Sequence, residues 1–236
     1  MLVPALLGWS YADLDDELRK SFEVALHFGT AAALLIALRG EVREALEEMD
    51  GGRVVRHLLT FLPPGLAAFA FERPIERRLG SARGVAVAQV AAAAVLALAD
   101  RRPADRPHSS AGAADALAIG VGQAFALAPG VSRNGATLTA ARLLRFSRPA
   151  SNRLSRHAAL PVILAATGLK GVRLARRGLP AELRAPFAVG AATAFASTFA
   201  SRPLIAAVDG ARSYASFAVY RAVLGGAALV ALRRRD

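Results

Sequence analysis

The sequence predicts an all-α fold, a polytopic helical bundle integral to a membrane and interrupted by one broken helix. Three observations carry that reading. The 236 residues are 54% hydrophobic with a mean hydropathy of +0.37, more apolar than an average soluble domain. Apolar runs recur at 22–38, 54–71, 84–99, 158–174, 186–200 and 214–232. Several are rich in alanine and glycine and a little short of the ~20 residues of an ideal span, which suits close helix packing better than lipid exposure. Finally, a polar, glycine-bracketed break, Pro129-Gly130-Val131-Ser132-Arg133-Asn134-Gly135-Ala136-Thr137, follows the nearly uncharged run 113–128. Lipid cannot hydrogen-bond open backbone, so a break at that depth persists only where protein or a water-filled cavity satisfies it. The competing reading is a soluble helical protein with small core residues; apolar runs near 18 residues favour spans.

Along the chain, Met1-Leu2-Val3-Pro4-Ala5-Leu6-Leu7-Gly8-Trp9 reads as the end of a helix followed by an interfacial tryptophan. No basic segment followed by a cleavable apolar one marks a signal peptide. Residues 39–56 mix Glu41, Glu44, Glu47, Glu48 and Asp50 with arginines and contain Gly51-Gly52, a short surface helix and a turn. Pro63-Pro64-Gly65 interrupts the second apolar run, where proline removes a backbone bond and kinks the helix. Residues 100–110, with Pro103, Pro107 and several arginines, form a polar connector ahead of the break.

The net charge is +12. Aromatics are only 6% of the chain and the arginines sit in short loops, not in one stripe, so no nucleic-acid partner is expected. Anionic lipid headgroups are the simpler partner. Nearly every loop carries arginine, so the positive-inside rule gives no orientation. The chain has no cysteine, which excludes disulfides, thiolate metal sites and a cysteine nucleophile.

The break carries the chemistry. Gly130 and Gly135 permit positive φ and close ligand approach, and consecutive N–H groups at a new helix start form an anion cradle. Ser132, Asn134 and Thr137 add short polar groups, and Arg133 adds a fixed fork of donors suited to phosphate. A charge inside a membrane is costly and a functional candidate by default; the alternative for Arg133 is snorkelling to the interface. Ser132 is either a nucleophile or donor, or a capping residue. Thr137, at the beginning of the returning helix, is a candidate cap for its N–H groups. The expected site is a phosphate or diphosphate pocket recessed in a membrane protein.

These nine residues, Pro-Gly-x-Ser-Arg-x-Gly-Ala-Thr, resemble the second signature of the bacterial undecaprenyl-diphosphate phosphatase (bacitracin-resistance) family. Phe22-Glu23-Val24-Ala25-Leu26-His27-Phe28-Gly29-Thr30 is similar to the family's helix after its first signature. The stretches from Ile75 to Gly80, from Asp115 to Gly120 and from Phe217 through Arg221 to Gly225 follow in the family's order. The likeness runs from about Leu2 to about Leu232.

The resemblance implies inverted-topology repeats with two re-entrant broken helices, of which this chain shows the second: 113–128 enters, 129–135 turns and 136–146 returns. It implies hydrolysis of undecaprenyl diphosphate to the monophosphate and inorganic phosphate. That recycles the lipid carrier for peptidoglycan synthesis, with bacitracin tolerance as a by-product. It also implies the plasma membrane as location, the phosphates presented to the outer face, and a divalent cation, magnesium or calcium, as cofactor. Arg133 would grip the diphosphate, and Ser132 and Thr137 would act beside it. Gly130, Asn134, Gly135, Gln123 and His27 would line the substrate site. Asn134 stands where the family usually has serine. Gln123 matches a glutamate position of the first repeat and, as a neutral amide, would orient rather than act as a base. His27 is either a packing residue or a polar neighbour of the site.

The family's first signature, a glutamate-rich half-helix ahead of the segment matching Met1 to Trp9, has no counterpart here. The expectation is therefore a single domain over 1–236, incomplete at its N-terminus, with Met1 an internal start and the acid/base glutamates missing. A lipid transporter or flippase, or a prenyl-diphosphate binder without turnover, stay open beside the enzyme.

Overall fold

The computed structural model describes residues 16–47, 49–210 and 212–233. The segment Met1 to Trp9, and with it the expectation of an internal start, lies outside the described residues. The described chain is helical, in the order α1 (Asp16–Ala37), α2 (Arg39–Glu47), α3 (Gly51–Leu79), α4 (Ala82–Asp100), α5 (Ala113–Ala124), α6 (Arg133–Leu143), α7 (Arg148–Arg177), α8 (Ala181–Ala200), α9 (Arg202–Asp209) and α10 (Ala215–Arg233).

Helices form over all six expected apolar runs. Among the described residues, Gly51–Phe71, Ala82–Asp100, Arg148–Arg176 and Ala215–Arg233 are long and apolar enough to cross a membrane. Two runs fall short of that expectation. In α1 only Val24–Ala37 is apolar, because the helix opens on Asp-Glu-Leu-Arg-Lys. Helix α8 carries Glu182 and Arg184 in its first turns and hydroxyl residues further on. Pro63 and Pro64 do not interrupt the second run: α3 continues through them and through Pro74. Inside a membrane protein, neighbouring helices, polar side chains and local adjustments can re-satisfy the carbonyls that proline frees. Residues 39–47 form the expected short surface helix, and Arg43 pairs with Glu47 at 2.7 Å along it.

The described residues fall into two compact units, 50–159 with 209–233, and 16–49 with 160–208. In the second unit α1 packs along α8, and its buried positions are small: Ala25, Ala31 and Ala33. In the first unit α3 packs on α5, α4 on α10, and α6 on both α4 and α5. Small residues again face inward, with Ala86, Ala93, Ala99 and Ala141 buried, while Leu66, Phe125 and Val223 are exposed and Phe69 is 94% exposed. This inside-out pattern is what lipid allows, since tails solvate large apolar side chains and small ones let backbones approach. Gly120 is the clearest case: a Cβ there would lie 2.5 Å from the Leu59 carbonyl oxygen of α3.

One end of the first unit is clamped by a buried polar network. The Asp100 carboxylate accepts from Arg148 Nε at 2.7 Å, Ser213 Oγ at 2.9 Å and the Tyr214 N–H at 2.8 Å. Arg142 Nε lies 3.3 Å from the same carboxylate, and its Nη atoms donate to the carbonyls of Phe146, Asp100 and Arg102. Tyr214 donates its hydroxyl to Asn152 Oδ1 at 2.8 Å. The network fixes the ends of α4 and α6 against the starts of α7 and α10.

Candidate active site

The broken helix is a hairpin. Helix α5 runs into one 3₁₀ turn over Phe125–Leu127, and α6 begins at Arg133, three residues earlier than the sequence suggests. Between them the Val131 N–H returns to the Ala128 carbonyl at 3.0 Å, closing a four-residue turn with Pro129 and Gly130 at its centre. Proline pre-sets the first central position, and the second needs positive φ, as in a type II turn. Gly130 has φ +97°, and a Cβ on it would fall 2.2 Å from the Val85 carbonyl oxygen. Only glycine satisfies both demands. Gly135 answers differently from expectation: its φ is not positive and no neighbour crowds it closely. Its role in the fold is to supply an N–H.

That N–H donates to Ser132 Oγ at 3.2 Å, making Ser132, in extended backbone at φ −70° and ψ 130°, the N-cap of α6. The first helical bond runs from the Ala136 N–H to the Ser132 carbonyl at 2.8 Å. The N–H groups of Arg133 and Asn134 therefore have no intrahelical acceptor. They stand at the positive end of the helix. Arg133, in the first turn, is half-buried, and among the described residues no carboxylate pairs with its guanidinium.

Thr137 is not a cap. It lies inside α6, 1% exposed, and its hydroxyl faces back to the carbonyls of Arg133 at 3.1 Å and Asn134 at 3.0 Å and meets Ser155 Oγ from α7. Ser155 Oγ in turn donates to Asn134 Oδ1 at 2.7 Å. A hydroxyl has one proton, so with Ser155's given to Asn134, the single Thr137 proton is shared among Ser155 Oγ and the two α6 carbonyls. The contact holds the exposed Asn134 side chain by its amide oxygen.

Gln123, on α5, is 2% exposed. Its Nε2 donates to the Thr60 carbonyl at 3.4 Å, and its Oε1 has no partner. An orphaned buried acceptor costs about 1–3 kcal/mol. Arg221 of α10 donates from Nη2 to the Gly130 carbonyl at 2.6 Å, holding the turn from the other side. His27 lies in the second unit, exposed on α1.

Sequence reasoning missed Ser155 and the anchoring contact of Arg221. The signal for Ser155 is a helical row of small polar residues, Ser151, Asn152 and Ser155, all buried, with Ser155 four and three positions after the other two, in the first turns of α7. Asp115 pairs with Arg106 through both carboxylate oxygens at 3.0 and 2.9 Å and accepts from the Gly112 N–H at 2.9 Å. It serves the connector.

The donors around the turn do not fit a magnesium or calcium ion. They are neutral hydroxyl and amide oxygens beside a guanidinium, whereas protein sites for such cations include carboxylate oxygens among their carbonyl and water ligands. Among the described residues no group of three or more histidine, aspartate or glutamate side chains converges.

Residues 1–227 match the family model described as bacitracin resistance protein BacA. The chain is 36% identical over 250 residues to the undecaprenyl-diphosphatase of Geobacter sulfurreducens, covering all of this chain and 90% of that one. It is 32% identical to the undecaprenyl-diphosphatase of Campylobacter curvus and 33% identical to that of Thioalkalivibrio sulfidiphilus, each over 95% of this chain and 87% of the relative.

Proposed function

Starting from the fact that this chain belongs to the bacitracin resistance protein BacA family, we propose that it hydrolyses undecaprenyl diphosphate to undecaprenyl phosphate and inorganic phosphate. It is a multi-pass membrane protein, in keeping with its four long apolar helices, and its place is the bacterial plasma membrane. Release of the monophosphate returns the lipid carrier to cell-wall synthesis and removes the diphosphate that bacitracin-type sequestration depends on.

The observation that carries the reading is Arg133, half-buried at a helix N-terminus with no carboxylate partner among the described residues. A guanidinium so placed is a fork for two phosphate oxygens. The free N–H groups of Arg133 and Asn134 take a further oxygen, and the Asn134 NH₂ another. Ser132 accepts from Gly135 with one lone pair and keeps its own proton to donate to a phosphoryl oxygen. Gln123 Oε1 orients a water or a protonated phosphate oxygen. Thr137 acts by position, its hydroxyl being engaged with α6 carbonyls and Ser155. Charge placed where it builds up in transfer of a phosphoryl group to water is the main source of rate in this chemistry. The second unit separately carries an apolar groove of about 690 Å³ between Phe28, Leu174, Phe187 and Phe195, suited to part of an isoprenoid chain.

The test is phosphate release from a prenyl diphosphate by the purified protein in detergent. Arg133→Ala is expected to lower turnover about a hundredfold or more, and Arg133→Lys to be poor as well because the fork is lost. Release that is indifferent to Arg133→Ala, or lipid binding with no release at all, would overturn the proposal.

A further inference from the structure

We propose that a cation-lined cavity in the first unit is a second anion site, separate from the signature turn, that takes a phosphate group. The cavity measures about 220 Å³ and is walled by Arg53, Arg56 and His57 of α3, by His108 of the connector, and by Arg153 and His157 of α7. Arg53 stands three and four residues before Arg56 and His57, and Arg153 four before His157, so two helix faces each turn a basic row into one space. All six side chains are half-buried, and no carboxylate lines the cavity.

Two acids of the same elements, Asp50 and Asp115, do not line the cavity. Asp50 caps the start of α3, accepting from the Arg53 N–H at 2.7 Å, and Asp115 is taken by both Nη atoms of Arg106. A multivalent anion in a partly dry space is stabilised by cationic side chains around it. Guanidinium forks match tetrahedral phosphate oxygens, and imidazole N–H groups and the hydroxyls of Thr60 and Ser109 add donors at the wall. The start of α3 adds its positive end.

Size sets the class further. At ~30 Å³ per water molecule the cavity holds about seven waters, room for one phosphate group with residual hydration and none for an isoprenoid chain. Ser132, Arg133 and Thr137 do not line it. It adjoins the signature hairpin through Thr60, a wall residue whose carbonyl accepts from Gln123. Two sources can supply the group: the inorganic phosphate released by hydrolysis, which rests on the function proposed above, or the headgroup of an anionic phospholipid.

Inorganic phosphate is titrated into the protein in lipid-free detergent and followed by phosphorus NMR line broadening. The protein in nanodiscs of phosphatidylcholine, with and without phosphatidic acid, is examined by native mass spectrometry for retained lipid. Neither measurement requires turnover, so both stand apart from the fate of the hydrolase reading. The expected result is saturable binding of one of these ligands, weakened about tenfold or more in Arg53→Gln/Arg56→Gln and changed by less than about twofold in Arg133→Ala. Phosphate binding in detergent assigns the released product; retention of phosphatidic acid alone assigns the headgroup. If the double variant fails to fold, Arg56→Lys replaces it, retaining charge without the fork, and is expected to bind severalfold more weakly. Binding that survives the cavity variants, binding lost in Arg133→Ala, or no binding of either ligand overturns the proposal.

Discussion

Arg221 Nη2 donates to the carbonyl of Gly130 at 2.6 Å, so a side chain from α10 anchors the residue that turns the broken helix. The contact spans 91 positions of sequence and is backed on its own side by Gln89, whose Nε2 donates to the Arg221 carbonyl at 3.0 Å. A turn held only by its own backbone could tilt the start of α6, and with it Arg133. Removing the anchor should therefore act on chemistry more than on folding. Arg221→Gln is expected to lower kcat by about ten- to a hundredfold, the scale of an ångström-size misplacement, while melting in detergent shifts little. Steady-state kinetics beside a thermal melt checks this; an unchanged kcat would separate the anchor from catalysis.

Gly130→Ala meets two obstacles at once, a φ of +97° and a Cβ 2.2 Å from the Val85 oxygen. Strained backbone alone costs of order 1–3 kcal/mol, and the clash requires α4 or the turn to move as well. The variant is expected to lose both activity and thermal stability, whereas Gly135→Ala, with no positive φ and only ordinary contacts, should keep its fold. Paired melting curves decide: equal stability of the two variants would contradict the assigned roles.

The helices and the hairpin were legible in the sequence because hydrophobic runs and Pro-Gly chemistry are local. The same locality explains the misreadings. Thr137 looked like a cap because the returning helix was expected to begin at 136, but Ser132 three residues before Gly135 had the geometry to cap first, moving the helix start to Arg133 and Thr137 into its interior. Pro63 and Pro64 were expected to interrupt the apolar run with a kink, yet the helix runs through both, since proline's disfavour in a helix is a local cost that neighbouring groups can offset. Ser155, Arg221 and the Asp100 network depend on which helices become neighbours, and no window along the chain contains that. The orphaned acceptor of Gln123 was half-legible: a polar residue in an apolar run stands out, though its unmet side is visible only in three dimensions.

Ser155 offers a test of positioning. Its hydroxyl links Thr137 to Asn134 from a different helix, and it is 2% exposed. Ser155→Ala leaves Asn134 Oδ1 without its donor and frees the amide to rotate. The expected outcome is a fall in kcat of about tenfold with KM changed much less, and partial rescue by Ser155→Thr, which restores the hydroxyl. A purely structural role would instead lower stability without splitting kcat from KM.

Asp100 should be the most sensitive position outside the hairpin. Its carboxylate is the shared acceptor of Arg148, Ser213 and the Tyr214 N–H, with Arg142 alongside at 3.3 Å, and Asp100 and Arg142 are 4% and 3% exposed. Asp100→Ala strips the charge and leaves the buried Arg142 guanidinium uncompensated. Breaking one partner of a buried pair costs about 3–5 kcal/mol, far more than the pair's net worth against an apolar replacement. The same reasoning predicts that Asp100→Leu combined with Arg142→Met loses less than the sum of the two single changes. Arg142 also serves three carbonyls, so the double variant should not recover fully. Since membrane proteins in detergent commonly unfold irreversibly, the half-life at fixed temperature is the measure to use. Strictly additive losses would show that Asp100 and Arg142 do not act as a pair.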